Sequence, residues 1–174
     1  MKAKLVFAMA SVALFGLVAP GAAHAAEPPN EQFTVIVRGR ISGGDAEPTA
    51  SVVVAHGVVD AVGRDEFQPS EPGDPPNVDR DVFVFPEGTL SVRVTNLSFT
   101  GGEPDPGTCI ATFGQRGSWD ITGGTGAYMG ATGTESFILR GTGVATRLPD
   151  GGCADDATFI LVSTATGNLS IPRR

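Results

Sequence analysis

Charged and aromatic side chains inside apolar segments are the residues of this sequence that could do chemistry. A protein that binds small molecules needs a few polar groups in an otherwise apolar cavity. An acid and a base facing inward together would supply acid–base or electrostatic help to a cyclisation. The alternative for each charged residue is an outward, solvated side chain, and for the sole tryptophan it is core packing. The candidates for ligand binding are Arg38, Arg93, Trp119, Asp120, Glu135 and Arg140.

His56 is the one histidine beyond the first 25 residues, so a Ser-His-Asp hydrolase would have to use it. The sequence has no G-x-S-x-G motif that would supply the nucleophile. A packed or surface histidine is therefore the better interpretation. No metal site and no cofactor are predicted, and the catalytic residues are not assigned.

The two cysteines, Cys109 and Cys153, favour a disulfide if the protein reaches an oxidising compartment. A lone reactive thiol or a metal site are the alternatives. Two cysteines make half of a zinc site at best, and His56 is the only histidine left after processing, which disfavours the metal.

The first residues have the pattern of an export signal. Lys2 and Lys4 precede an apolar run from Leu5 to Val18, and Ala23-His24-Ala25 supplies small residues at a cleavage position. The sequence therefore predicts a signal peptide over residues 1–25 and a secreted, extracytoplasmic protein.

A transmembrane anchor is the alternative for this segment, but it needs about 18 consecutive apolar residues. Gly16 and Pro20 interrupt the run before that length. No later stretch is long and apolar enough, so no membrane span is expected in the mature chain. The remainder divides into a polar leader over 26–32 and one domain over 33–174.

The charge distribution disfavours nucleic acid as a partner. The chain carries 12 Lys and Arg against 19 Asp and Glu. Its arginines are scattered through apolar segments, whereas polyanion binding needs clustered basic residues.

Short runs rich in Val, Ile, Thr and Phe, separated by Gly or Pro, predict an all-β chain. Asp65 to Asp79 is predicted to be a surface loop and Thr100 to Gly107 a hairpin connection. The predicted strands are Phe33–Ile41, Ala50–Val62, Asp81–Phe85, Thr89–Phe99, Thr108–Phe113, Gly117–Thr122, Gly133–Arg147 and Ala157–Ser163, with a further closing strand over Gly167–Ile171.

Several predicted strands are apolar on both faces, as in Val52 to Asp60. A sheet with one solvated face alternates more cleanly. Either loops cover the outside of the sheet, or part of it is an interface in a homo-oligomer. Both interpretations stay open at this point.

The segment Gly117 to Gly143 reads GSWDITGGTGAYMGATGTESFILRGTG, and Asp79 to Val92 reads DRDVFVFPEGTLSV. Both resemble the dirigent and allene oxide cyclase barrels, above all their bacterial secreted branch. The resemblance implies a closed antiparallel β-barrel of about eight strands with an apolar cavity, often assembled as an oligomer. It also implies binding or cyclisation of a small hydrophobic molecule, without a cofactor. The alternative is a non-catalytic secreted module that acts through its exterior.

The glycines of this motif have structural roles. Gly123, Gly124 and Gly126 are expected to turn the chain sharply, because glycine adopts conformations that strain other residues. Gly130 and Gly133 are expected to permit a bulge or close packing, with Tyr128 packed over the glycines. The motif identifies a fold and supplies no catalytic group.

Overall fold

The computed structural model describes residues 29–43 and 45–173, which form a closed barrel of eight antiparallel strands. Each strand pairs with the next, and β8 pairs with β1 from Glu31 opposite Gly167 to Ile41 opposite Ala157. The predicted fold class is confirmed, whereas the predicted signal peptide lies outside the described residues. The strands are β1 (Glu31–Ser42), β2 (Asp45–Gly57), β3 (Ala61–Gln68), β4 (Val78–Phe85), β5 (Gly88–Pro104), β6 (Ile110–Gly124), β7 (Thr132–Arg147) and β8 (Cys153–Ser170).

Alternation along the strands places apolar side chains inside the barrel. In β1, Phe33, Val35 and Val37 are buried, whereas Ile36 and Arg38 are exposed. Successive side chains of a strand point to opposite faces, so a strand with this pattern has one face in a core. β1 begins at Glu31, two residues before its predicted start, and the Glu31 side chain is buried.

Four aromatic rings form the centre of the core. Trp119 contacts Phe83 edge-on at 5.4 Å and stacks on Phe137 at 5.6 Å, and Phe33 lies 5.5 Å from Phe83. Such pairs add roughly 0.5–1.5 kcal/mol each beyond the burial of their surface. The rings fill the barrel at this level.

One end of the barrel, which we call the closed end, is covered by the β6–β7 connection. This connection contains a 3-10 turn, Gly126–Tyr128, whose tyrosine ring is buried edge-on against Phe85 at 5.8 Å. The β2–β3 and β4–β5 connections, the start of β1 and the end of β8 lie at the same end. The remaining connections lie at the opposite end, which we call the open end.

The glycines of the β6–β7 connection divide into two groups. Gly126 has φ +59°, as expected of a glycine that turns the chain, and Gly130 has φ +77°. Gly123 and Gly124, also expected in the turn, instead belong to β6, whereas Gly133 lies in β7 as predicted. A Cβ on Gly124 would lie 2.5 Å from the carbonyl oxygens of Thr89 and Tyr128, so glycine permits a close backbone approach there.

Two predicted segments were wrong around β3. The predicted strand Ala50–Val62 is two strands, because the chain turns after Gly57, which has φ +140°. The predicted loop Asp65–Asp79 shrinks to residues 69–77. The inward positions of β3 include Gly63 and Asp65, so the strand lacks the apolar alternation that would reveal it.

Other predicted breaks also lie within strands. Thr108–Phe113 and Gly117–Thr122 fall largely in the single strand β6, and both predicted C-terminal strands belong to β8. β5 continues to Pro104, beyond the predicted start of the hairpin connection at Thr100.

The predicted disulfide is confirmed. Cys109 and Cys153 are joined with Cα atoms 5.5 Å apart, across 44 residues of sequence. The bond ties the β5–β6 connection to the start of β8, and so holds two connections of the open end together.

The outer face carries exposed apolar side chains around β1. Ile36 pairs with Val52 on β2 and with Val162 on β8, and all three are exposed. The homo-oligomer that such residues predict stays a prediction. Across the described ranges, no helix has the length and apolarity needed to cross a bilayer.

Candidate functional site

A cavity of about 310 Å³ lies inside the barrel toward the open end. Every strand except β2 contributes to its wall. We call it the inner cavity. Its lining side chains are Val35, Val37, Asp65, Phe67, Gln68, Asp79, Arg80, Asp81, Val94, Asn96, Gln115, Trp119, Phe137, Leu139, Leu161 and Ser163.

A larger recess of about 950 Å³ lies beyond the inner cavity, among the connections of the open end. Phe99, Phe113 and Phe159 line it, together with the disulfide. Phe99 and Phe113 stack at 6.3 Å. Leu161 lines both spaces. We call this the outer recess.

Two carboxyl groups, which we call the aspartate pair, face the inner cavity from neighbouring strands. Asp65 lies on β3 opposite Phe83, and Asp81 lies on β4 opposite Phe67, so the two aspartates are diagonal neighbours. Asp65 is 8% exposed, and its Oδ1 has no hydrogen-bond partner among the described residues. Its backbone N–H donates to Ser51 Oγ at 2.9 Å, which fixes the strand at this point.

The environment raises both pKa values. Burial, with a second contribution from Asp81, raises the pKa of Asp65 to about 8. Burial, with Asp79 adding to it, raises the pKa of Asp81 to about 7. Because the two groups titrate together, these values belong to the pair. Near neutral pH the pair therefore holds a proton that one carboxyl can donate while the other accepts.

Arg80 lies at the rim of the inner cavity, but its charge is already compensated. Its guanidinium donates to Asp74 at 2.7 and 3.1 Å and lies 3.0 Å from Glu71. Glu66, beside Asp65, is paired with Arg64. Within residues 29–43 and 45–173, no salt bridge joins Asp65 or Asp81 to a basic residue.

A second pair of buried acids, which we call the glutamate pair, lies toward the closed end. Glu31 and Glu135 pair with the same residue, Gly167 of β8, from opposite sides. They are 2% and 1% exposed. A Cβ on Gly167 would lie 2.6 Å from Glu135 Cγ, so this glycine leaves room for the carboxyl side chains.

The glutamate pair touches protein rather than a cavity. Glu31 Oε2 accepts a hydrogen bond from the Val59 N–H at 2.9 Å. Neither Glu135 oxygen has a partner in the part of the chain that the structure describes. Burial, with Glu31 adding to it, raises the pKa of Glu135 to about 8. Neither glutamate lines the inner cavity or the outer recess.

The structure divides the predicted ligand-binding residues. Trp119 lines the inner cavity, and Glu135 faces the barrel interior in the glutamate pair. The other four lie on the outer face, which corrects the expectation that they face a cavity. The reason is strand alternation, since each has inward-facing neighbours on both sides. These four are Arg38, Arg93, Asp120 and Arg140.

Two of these outer residues approach each other, with Arg93 and Asp120 4.0 Å apart. His56 is also exposed and lies 3.2 Å from Asp60. Neither contact involves the inner cavity.

Sequence reasoning missed the aspartate pair. A signal for Asp81 exists, because Asp79, Asp81, Phe83 and Phe85 recur with a spacing of two and so share one face of β4. Asp65 gives no comparable signal, since the strand that carries it was not recognised.

No group of three or more His, Cys, Asp or Glu side chains that could hold a metal ion occurs in the described ranges. Comparison of the chain with protein-family models, with curated proteins and with solved structures found no match.

Proposed function

We propose that this protein is a secreted barrel, related to the bacterial allene oxide cyclase-like and dirigent-like proteins, that binds a small hydrophobic molecule at its open end. The inner cavity is the observation that carries the proposal. Ligand cavities are largely apolar spaces of roughly 300–1,000 Å³ with a few polar groups. A volume of about 310 Å³ lies at the lower end of that range.

The character of the wall supports a mainly hydrophobic ligand. Trp119, Phe137 and Leu139 supply aromatic and aliphatic surface, while Ser163 and the aspartate pair supply polar groups. Ser163 Oγ is buried and has no hydrogen-bond partner among the described residues. A ligand would therefore find both apolar contact and a small number of orienting groups.

Trp119 gives a direct test, because it is the only tryptophan of the chain and it lines the inner cavity. Titration with the neutral probe N-phenyl-1-naphthylamine is expected to change tryptophan emission and to give saturable heat by calorimetry. Ser163→Leu fills the inner cavity and is expected to lower the affinity at least tenfold. Thr164→Leu, on the adjacent outward position, is the matched control and is expected to leave it unchanged.

Two results would count against ligand binding. One is the absence of saturable binding to the intact protein for neutral hydrophobic probes. The other is an equal affinity of the Ser163→Leu and Thr164→Leu proteins, which would place the probe outside the inner cavity.

The aspartate pair favours a second candidate function, cofactor-independent isomerisation or cyclisation. One carboxyl would donate its proton to an oxygen of the substrate while the ionised one removes a proton from a neighbouring carbon, so the protein gains and loses one proton. Acid–base catalysis works best when the pKa values lie near the working pH. The pKa values of about 8 and 7 meet that condition.

Deuterium incorporation into a β,γ-unsaturated ketone in D₂O tests this candidate without knowledge of the natural substrate. The intact protein is expected to accelerate exchange at the α-carbon, with a rate that peaks between pH 7 and 8. Asp65→Asn and Asp81→Asn are expected to reduce exchange at least 100-fold. Binding of the ketone with no accelerated exchange would leave a binding protein without this activity.

A further inference from the structure

We propose that the inner cavity takes a ligand bearing one organic cation, such as a protonated amine, whose N–H groups donate to Asp65 and Asp81 while its apolar part packs on Trp119. This inference rests on the proposed function, since it names the class of molecule that the inner cavity binds. The juxtaposition of two acids, a tryptophan and a partly apolar cavity carries it.

The first support for this proposal is a buried carboxyl oxygen that has no hydrogen-bond donor. Asp65 lines the inner cavity and is 8% exposed, and its buried Oδ1 meets no donor in the described part of the chain. A buried acceptor without a donor destabilises a protein by roughly 1–3 kcal/mol, and more when it is charged. Two carboxyls that hold one proton between them keep three oxygens that only accept. A ligand rich in N–H donors matches them better than a carbonyl, which only accepts.

The sign of the charge is the second step. The acids of the inner cavity are Asp65, Asp79 and Asp81, and Asp79 accepts a hydrogen bond from the Asn96 side chain at 2.7 Å. Arg80 is the one basic residue among the described lining residues. Its guanidinium is paired with Asp74 and Glu71. An anionic ligand would meet uncompensated like charge. A cationic ligand would neutralise it.

The aromatic wall is the third step. Trp119 is 4% exposed, and its ring lines the cavity that the aspartate pair faces. A cation over the face of an indole gains roughly 0.5–2 kcal/mol, with the larger values in desolvated sites. The indole and the carboxyls therefore favour the same kind of ligand.

A set of probes with one chain length and three head groups tests the charge preference. Octylamine, octan-1-ol and octanoic acid are titrated into the intact protein at pH 7, with Trp119 emission and calorimetry as readouts. Octylamine is expected to bind at least tenfold more tightly than octan-1-ol, and octanoic acid more weakly than both. Octan-1-ol binding as tightly as octylamine overturns the cation inference and leaves the proposed function intact. No binding of any probe counts against the proposed function itself.

Variants test whether the aspartate pair causes the preference for the amine over the alcohol. Asp65→Asn and Asp81→Asn are expected to bring the ratio of the two affinities, amine to alcohol, close to one. Asp120→Asn, on the outer face, is the matched control and is expected to keep the tenfold ratio. Because the two inner variants are separate, loss of folding in one leaves the other to decide. A tenfold ratio that survives in a folded inner variant overturns the assignment to the aspartate pair.

Discussion

The glutamate pair, which is buried, and the aspartate pair, of which Asp65 is buried and Asp81 half-buried, lie inside one barrel and differ in what lies beside them. Glu31 accepts a backbone hydrogen bond and shares Gly167 with Glu135, and neither side chain reaches the inner cavity or the outer recess. Asp65 and Asp81 line the inner cavity. Burial raises the pKa at both ends, so a raised pKa by itself does not identify a ligand site. The adjoining cavity is the reason for which we propose a ligand site at the aspartate pair.

The comparison also separates two consequences of burying an acid. The raised pKa values at both ends make the stability of the barrel depend on pH. Under the proposed function, the protonation state of the aspartate pair would in addition affect what the inner cavity can receive. Experiments that change one end at a time can test this separation.

Among changes at the closed end, the largest effect is expected from pH acting on Glu135. Its pKa is about 8 in the folded protein against 4.5 ordinarily, so the folded state binds more protons than the unfolded state across that window. The free energy of unfolding should therefore be highest below pH 4.5 as far as this group is concerned, and fall as pH rises to about 8. The loss is about 1.4 kcal/mol per pH unit, or about 4 kcal/mol between pH 5 and pH 8.

Denaturant unfolding at pH 5, 6, 7 and 8 measures this slope in the intact protein and in Glu135→Gln. The variant is expected to lose Glu135's share of the slope and to bind octylamine as the intact protein does. An unchanged slope would mean that Glu135 is ionised in the folded protein. Altered ligand affinity would mean that the two ends are coupled.

Removing the disulfide loosens the open end alone. The Cys109→Ala/Cys153→Ala double variant is expected to lower the free energy of unfolding by about 2–4 kcal/mol, since the bond closes a loop across 44 residues. It should also weaken ligand binding, because the bond lines the outer recess. Thermal unfolding and calorimetry measure the two effects. Full affinity in the double variant would show that the outer recess is not part of the site.

Gly167→Ala attacks the closed end alone. The added methyl would lie 2.2 Å from the Thr134 carbonyl oxygen and 2.6 Å from Glu135 Cγ, so the free energy of unfolding should fall by about 1–3 kcal/mol. Gly123→Ala is the matched control, because a Cβ there meets nothing within 4 Å. Chemical denaturation of both proteins checks the difference. Equal stability of the two variants would show that the structure around Gly167, between Glu31 and Glu135, can shift enough to accept the methyl group.

The smallest effect is expected for an acid outside the barrel. Asp120→Asn removes the outer contact with Arg93 at 4.0 Å. Surface pairs contribute little, so the free energy of unfolding should change by less than about 0.5 kcal/mol and should not gain pH dependence. A larger change by thermal unfolding would contradict the distinction between outer and inner acids.

The all-β class and the turn around Tyr128 could be predicted from local patterns, whereas the closed barrel followed from the family resemblance and the disulfide from the cysteine count and the predicted export. Alternation in β1 marks a strand with one buried face, and the glycines before Tyr128 mark a turn. Trp119, the sole tryptophan, packs in the aromatic core and also lines the inner cavity, so both interpretations of it describe part of its position.

The aspartate pair could not be predicted in the same way. Asp65 occupies an inward position that an apolar residue would otherwise fill. The sequence of β3 therefore lacks the apolar alternation by which a strand is recognised. Sites that need polar groups inside a core break the local pattern, and local reasoning fails there first. Arg93 and Asp120 illustrate the converse, since sequence position marks them as charges inside strands but only the register shows that they point outward.

β1 begins and β8 ends at the closed end, so the described chain enters and leaves the barrel on the side away from the inner cavity. A bead, a fused protein or any other anchor joined before Glu31 or after Ile171 would hold the barrel by its closed end. The open end would then face outward, and under the proposed function ligand entry there would stay unobstructed whichever terminus was used.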